Sequence, residues 1–238
     1  MASHPLFHLL PFLLVLLAGL HPEGTSASPA APPNHINEAH TDLSKRQYNA
    51  ARYCDNSRTQ GMCYLEYSRP GTTTVPVLRV AVPEGVSSGS TFDTVLQIVA
   101  PVTLGWAGFA WGGGMTRNPL TVVWPNGEGV TVSSRWSEGR TLPPVYPSAT
   151  YRTISASRNG THWTAEVVCS GCSRWNGGSL NINGVHTFAW AVSRTPVSQP
   201  GNPASSFAYH NNVGMFSEPM SMAAVPRAVF DEHVRGAR

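Results

Sequence analysis

From Tyr53 onward the chain is a series of short apolar, β-branched and aromatic runs cut apart by Gly, Pro, Asn and Ser. The runs are Met62 to Tyr67, Val75 to Val82, Phe92 to Val99, Leu104 to Trp111 and Leu120 to Trp124. Gly129 to Ser134, Tyr151 to Ala156, His162 to Val168 and His186 to Val192 continue the series. Runs of this length and spacing predict the strands of an antiparallel sandwich. No window of helical length keeps a 3.6-residue apolar period except Ala223 to Val234, where Pro226 interrupts it. The expected fold class is all-β, an immunoglobulin-like antiparallel β-sandwich without internal repeats.

The first 46 residues follow a different pattern. An apolar run from Leu6 to Leu20, followed by small residues around Thr25 to Ser28, reads residues 1–27 as a secretory signal peptide. Residues 28–46 are too poor in apolar side chains to order themselves and are expected to be a disordered pro-segment. They end at Lys45-Arg46, a dibasic processing signal, and cleavage there exposes Gln47. A folded domain is expected over 47–225 and a polar C-terminal tail over 226–238, with His233 in solvent. No later run is apolar enough to span a bilayer, so a secreted, extracellular protein without a membrane anchor is expected.

Composition changes this picture only at a few points. Residues 47–238 hold 14 arginines, no lysine and 10 carboxylates. That excess is scattered and forms no runs, which argues against nucleic acid and allows only a weak attraction to polyanions. Of the three connectivities open to four cysteines, Cys54 with Cys63 and Cys169 with Cys172 closes the shortest loops. A thioredoxin-like pair at Cys169 and Cys172 needs a βαβ context that is missing, and a zinc site needs a second closely spaced pair. Asn159-Gly160-Thr161 is a glycosylation sequon on a turn.

Two positions carry candidate chemistry. Gly112, Gly113 and Gly114 strip every side chain from the chain just before Met115, and Asn118-Pro119 closes the turn, so Met115 is presented from a rim. Four histidines fall outside the first 46 residues. His162 and His186 begin strand-like runs and read as half-buried strand-end residues. His210 follows the long, proline-containing stretch Thr195 to Ser205 among bulky apolar neighbours, again on a rim.

The runs Leu96-Gln-Ile-Val-Ala-Pro-Val102, Gly112-Gly-Gly-Met-Thr116 and Val122-Val-Trp-Pro-Asn-Gly127 closely resemble the cytochrome domain of fungal cellobiose dehydrogenase. His162-Trp163, Cys169 to Leu180 and Asn202-Pro-Ala-Ser-Ser-Phe207 leading to His210 extend the resemblance over about residues 60–225. It implies a DOMON-type sandwich holding haem b, with Met115 and His210 as axial ligands of the iron. Ser173 stands where covalent attachment after Cys172 requires histidine, so the haem is expected to be non-covalent. With both axial positions filled by Met and His, no position remains for oxygen or substrate, and one-electron transfer is the natural task.

The resemblance implies a flavin-dependent sugar dehydrogenase as donor and lytic polysaccharide monooxygenase, ferric complexes or quinones as acceptors, with possible ferric reductase activity, for a monomeric protein. Trp106, Phe109, Trp111, Phe207, Tyr209, Met215 and Phe216 are candidates for the pocket wall, and Tyr146, Arg174 and Arg117 for the haem propionates. The family's dehydrogenase continues into a flavin domain. These 238 residues contain none, and sugar oxidation is not expected of them. A rival from another class is a haem-free carbohydrate-binding sandwich, suggested by seven tryptophans. A hydrolase is disfavoured, because there is no nucleophile elbow and Glu128, Glu138 and Glu166 show no acid and base spacing.

Overall fold

The computed structural model describes residues 50–238. The signal peptide, pro-segment and Lys45-Arg46 site read from the sequence lie outside them. One sheet contains β1 (Ala50–Cys54), β2 (Cys63–Tyr67), β3 (Val77–Pro83), β4 (Thr94–Pro101), β9 (His162–Ser170) and β8 (Thr150–Arg158) in that spatial order. The short β14 (Ala224–Val225) adds to β3 in parallel. The facing sheet has the order β13 (Asn212–Pro219), β12 (Val185–Ser193), β5 (Trp106–Ala110), β6 (Leu120–Asn126), β7 (Gly129–Arg135). A small hairpin of β10 (Arg174–Trp175) and β11 (Gly178–Ser179) lies outside both sheets. The antiparallel sandwich expected from the sequence is the fold observed.

The core lies between the sheets. Phe109 and Trp111, then Phe188 and Trp190, point inward together with Leu65, Leu78, Leu96 and Trp163. Tyr67 stacks on Phe216 across the gap, with ring centroids 4.3 Å apart. Disulfides join Cys54 to Cys63 and Cys169 to Cys172, and the first links directly opposed residues of β1 and β2.

Where the observed elements depart from the expected ones, the reason is local. Residues 226–238, expected to be a polar tail, contain the helix α1 (Arg227–Arg235), which begins directly after Pro226 because a proline at the helix entrance loses no hydrogen bond that the first turn could make. Two residues before it belong instead to β14. Phe230 and His233 are buried against the seven-stranded sheet, so His233 is not in solvent as its polar surroundings in sequence suggest. Strand β13 escapes notice because its exposed positions, Val213 and Met215, are apolar. An inward position is Gly214, where a Cβ would lie 2.6 Å from the Trp190 ring.

Candidate functional site

The outer face of the five-stranded sheet is divided in two. Over β5 and β6 it is fully covered, and both strands are buried on both faces. The cover is the segment from Arg194 to Asn211, which leaves β12 and crosses back over the sheet without regular structure. Its Phe207 packs on Trp106 and Trp124, with centroids 5.0 and 6.4 Å away. Over β12 and β13 the outer face is open. Ala189 and Ala191 are half-buried there, and their partners Met215 and Val213 are 65% and 54% exposed. An exposed sheet face is ordinarily polar; on this one the small and apolar Ala189, Ala191, Val213 and Met215 adjoin a single polar pair, Thr187 and Ser217, whose hydroxyls are 2.8 Å apart.

Met115 and His210 stand at the two ends of this face. Met115 is half-buried in the loop that leaves the Ala110 end of β5. The Asn118 side chain, 2% exposed, ties that loop together. Its Oδ1 accepts from the Gly112 amide at 2.8 Å, and its Nδ2 donates to the Gly114 and Thr116 carbonyls at 2.9 Å each. Gly113 has φ +78° and lies so close to Thr187 that a Cβ would meet its Cγ2 at 2.9 Å, so only glycine fits. Arg117, beside it, holds φ 60°, a costly conformation for a side-chain-bearing residue. His186 supports the loop from below. Its Nε2 donates to the Trp111 carbonyl at 2.7 Å and its Nδ1 accepts from the Asn181 amide at 3.1 Å. Burial pulls the His186 pKa below its ordinary value, in keeping with the neutral ring these two bonds require.

His210 is half-buried at the opposite end, beside the start of β5. The register pairs Ser193 with Trp106 and Val192 with Asn212. The Trp106 indole donates to the Ala208 carbonyl at 3.1 Å, and the Asn211 amide donates to the Val192 carbonyl at 2.7 Å, fixing the backbone on both sides of His210. The Tyr209 ring lies 4.0 Å from the His210 ring and is 76% exposed. The thioether and the imidazole are therefore carried by rigidly tied loops, separated by the four residue steps of β5, about 14 Å along the strand.

The other residues singled out in the sequence divide by face. Trp106 and Phe207 lie on the outer face and Met215 on its open part. Trp111, Phe109 and Phe216 face the core between the sheets, and the Trp111 indole donates to Thr121 Oγ1 at 2.9 Å. Tyr146 stacks on Trp136 at 4.9 Å, next to β7. Arg174 is exposed on the small hairpin whose Trp175 would touch a Cβ at Gly112. Arg117 is exposed and 3.5 Å from Glu138. Asn159 is exposed in the turn between β8 and β9, its Oδ1 accepting from the Thr161 and His162 amides.

Three contributors escape sequence reasoning. Asn118 reads as turn punctuation and His186 as a strand-end residue, although each holds the methionine loop. Arg135 stands one position past the run Gly129 to Ser134 and is not singled out; it is 2% exposed, and its guanidinium lies 5.2 Å from the Phe207 ring centroid. The available signal is the alternation Thr131, Ser133, Arg135 on the side of β7 opposite Val130 and Val132.

Architecture and site together define a two-sheet, antiparallel sandwich with a methionine and a histidine flanking an apolar outer face. Residues 53–229 match the family model of the cytochrome domain of cellobiose dehydrogenase, and the chain belongs to that family, whose business is electron transfer. It is 32% identical over 120 residues to a pyrroloquinoline quinone-dependent pyranose dehydrogenase of Coprinopsis cinerea. That match covers 49% of this chain and 16% of the relative's length. Among solved structures, the cytochrome b domain of pyranose dehydrogenase from Coprinopsis cinerea superposes with a TM-score of 0.69 at 24% identity, covering 79% of this chain and 95% of that one. The cytochrome domain of Myriococcum thermophilum cellobiose dehydrogenase gives 0.68 at 22%, covering 79% and 96%. At these identities the two superpositions speak for the fold. Among the described residues no helix is long and apolar enough to cross a membrane.

Proposed function

We propose that the chain is a secreted electron-transfer cytochrome that holds a non-covalent haem b on the open outer face of its five-stranded sheet, with Met115 and His210 as axial ligands. The observation that carries this reading is the bare apolar floor of Ala189, Ala191, Val213 and Met215 between a thioether loop and an imidazole loop. The donor set fits haem iron, and the floor offers small side chains to a flat macrocycle and apolar contact in place of water. Bound haem supplies a one-electron couple between Fe(III) and Fe(II).

The protein's own residues do the rest. Asn118 and His186 fix the methionine loop, and Trp106 and Asn211 fix the histidine loop, so little reorganisation accompanies a change of charge. Phe207, Trp106 and Trp124 close one flank against water. Arg174 and Arg117 are exposed at the methionine end, where they suit the haem propionates. The donor is a flavin- or quinone-dependent sugar dehydrogenase. The acceptors are a lytic polysaccharide monooxygenase, ferric complexes or quinones, with ferric reduction as the corresponding activity. Asn159, on an exposed turn, is the glycosylation site.

The carbohydrate-module alternative finds little support. Trp106, Trp111, Trp124, Trp163 and Trp190 are at most 3% exposed and offer no stacking platform. The ligand assignment is tested with variants reconstituted with haem. His210→Ala is expected to lose the low-spin ferric spectrum. Met115→His is expected to keep it while lowering the reduction potential, since thioether favours Fe(II) over imidazole. Unchanged spectra and potentials in both variants would contradict the assignment.

A further inference from the structure

The histidine loop is 18 residues long, Arg194 to Asn211, contains Pro196, Pro200 and Pro203, and has no regular structure. Loops beyond about 12–15 residues are uncommon in compact domains unless they have a function. This one is stitched to the sheet at regular intervals. Trp124 Nε1 and Thr131 Oγ1 donate to the Pro200 carbonyl at 2.8 and 2.5 Å. Ser133 Oγ donates to the Pro203 carbonyl at 2.5 Å. Arg135 Nη2 donates to the Pro203 and Ser205 carbonyls at 2.8 and 2.6 Å, and its Nε donates to Ser133 Oγ at 2.6 Å. Thr131, Ser133 and Arg135 alternate along the outer face of β7, so one edge strand supplies a ladder of donors to a loop that has no partner of its own.

Arg135 differs from the other donors. It is a buried cation, and among the described residues no carboxylate lies within ion-pair distance of it; its charge is met by oxygens of Ser133, Pro203, Ser205 and Pro143. A charge taken out of water is tolerated only while such dipoles stay in place. The guanidinium therefore resists any departure of the 203–205 backbone. It also reaches the other loop: Nη1 donates to the Pro143 carbonyl at 3.0 Å, and the same 136–146 segment accepts the Arg117 amide at the Ser137 carbonyl, 2.8 Å away.

We propose that Arg135 is the positioning residue for His210, clamping the histidine loop to the sheet and to the segment that abuts the methionine loop, so that the axial histidine is set before haem arrives. The inference rests on the Met115 and His210 reading given above, and the experiment separates the two. Amide hydrogen exchange is followed in the haem-free protein for wild type and Arg135→Met, and ferric spectra are recorded after reconstitution with and without imidazole. In Arg135→Met, exchange over residues 200–210 is expected to accelerate about tenfold to a hundredfold, the loss of charge-assisted hydrogen bonds, while β4 and β9 keep their protection. The haem spectrum is expected to shift from low-spin toward high-spin and to return on adding imidazole, and the retained protection of β4 and β9 separates this from a general loss of folding. Arg135→Lys, which keeps the charge but not the fork, is expected to fall between. Should Arg135→Met fail to fold, Thr131→Val combined with Ser133→Ala carries the same expectation with a smaller change. Unaltered exchange and spectra in whichever variant is folded would overturn the proposal. A low-spin spectrum surviving in His210→Ala would instead sink the ligand reading, and the exchange data would still judge the clamp.

Discussion

Asn118 makes three hydrogen bonds to the backbone of the glycine loop, accepting one and donating two, from a site almost closed to water. Asn118→Ala removes them and loosens the partly exposed loop backbone, at a cost of about 1–3 kcal/mol. Chemical denaturation is expected to report that loss, and haem titration a weaker affinity. Gly113→Ala combines a positive φ with a Cβ pressed against Thr187 and is expected to cost about 1–3 kcal/mol in the same assay. The loop positions of Met115 and His210 were legible in the sequence, because glycines and prolines beside a bulky residue mark a rim. Asn118, His186 and Arg135 were not. Their importance lies in which distant carbonyl or amide they meet, and the Trp111 carbonyl under His186 is 75 positions away.

At the scale of elements, α1 is held by a polar contact inside an apolar seat. Its Phe230 packs in one cluster with Val225 and Val168, and beneath the helix Glu166 accepts hydrogen bonds from Tyr64 and from His233 Nε2, the latter at 3.0 Å. His233 Nδ1 meets Thr59 Oγ1 at 3.1 Å. Burial pushes the Glu166 pKa up, but the hydrogen bonds from His233 and Tyr64 outweigh it and leave the carboxyl below its ordinary range. A depressed carboxyl pKa stabilises the fold above the unfolded value, and that stability is lost as pH falls through the folded one, here from about 4.3 downward. His186, also depressed, gives the same sign from about 6.5 downward. Stability is therefore expected to decline in two steps on acidification. In Glu166→Gln the lower step should flatten, and denaturation curves at a series of pH values read this directly. A lower step of unchanged size in Glu166→Gln would refute its assignment to this carboxyl.

Strands β2 to β9 and β12 were read from the sequence with ends displaced by only a few residues, because alternation against a two-sheet core is a local signal, whereas β1 and the two-residue strands β10, β11 and β14 were not. Helix α1 and β13 were not read. The helix is short, its buried polar residue is a histidine, and its partner Glu166 lies 67 positions away. Strand β13 carries Val213 and Met215 outward and only Gly214 and Phe216 of its apolar run inward.

At the scale of the molecule, the two sheet surfaces are covered differently. The seven-stranded sheet is closed by α1, and half of the five-stranded sheet by the histidine loop, which leaves one apolar face open beside the two ligand-type residues. A cofactor that covers this face links its own binding to folding. At a hundredfold excess over Kd, haem is expected to add about 2.7 kcal/mol, which for a domain of this size is roughly 5–10 °C in Tm. Calorimetry with and without haem checks that figure. A dye that fluoresces on exposed apolar surface should bind the haem-free protein and be displaced by haem.

The central claim is that this face, with Met115 and His210, holds a redox-active haem b. The most direct measurement is the absorption spectrum of residues 47–238 produced with haem supplied, before and after dithionite. The account predicts a sharp low-spin haem b spectrum that changes fully and reversibly on reduction. A folded, colourless protein, or a high-spin haem unaffected by loss of His210, would contradict it.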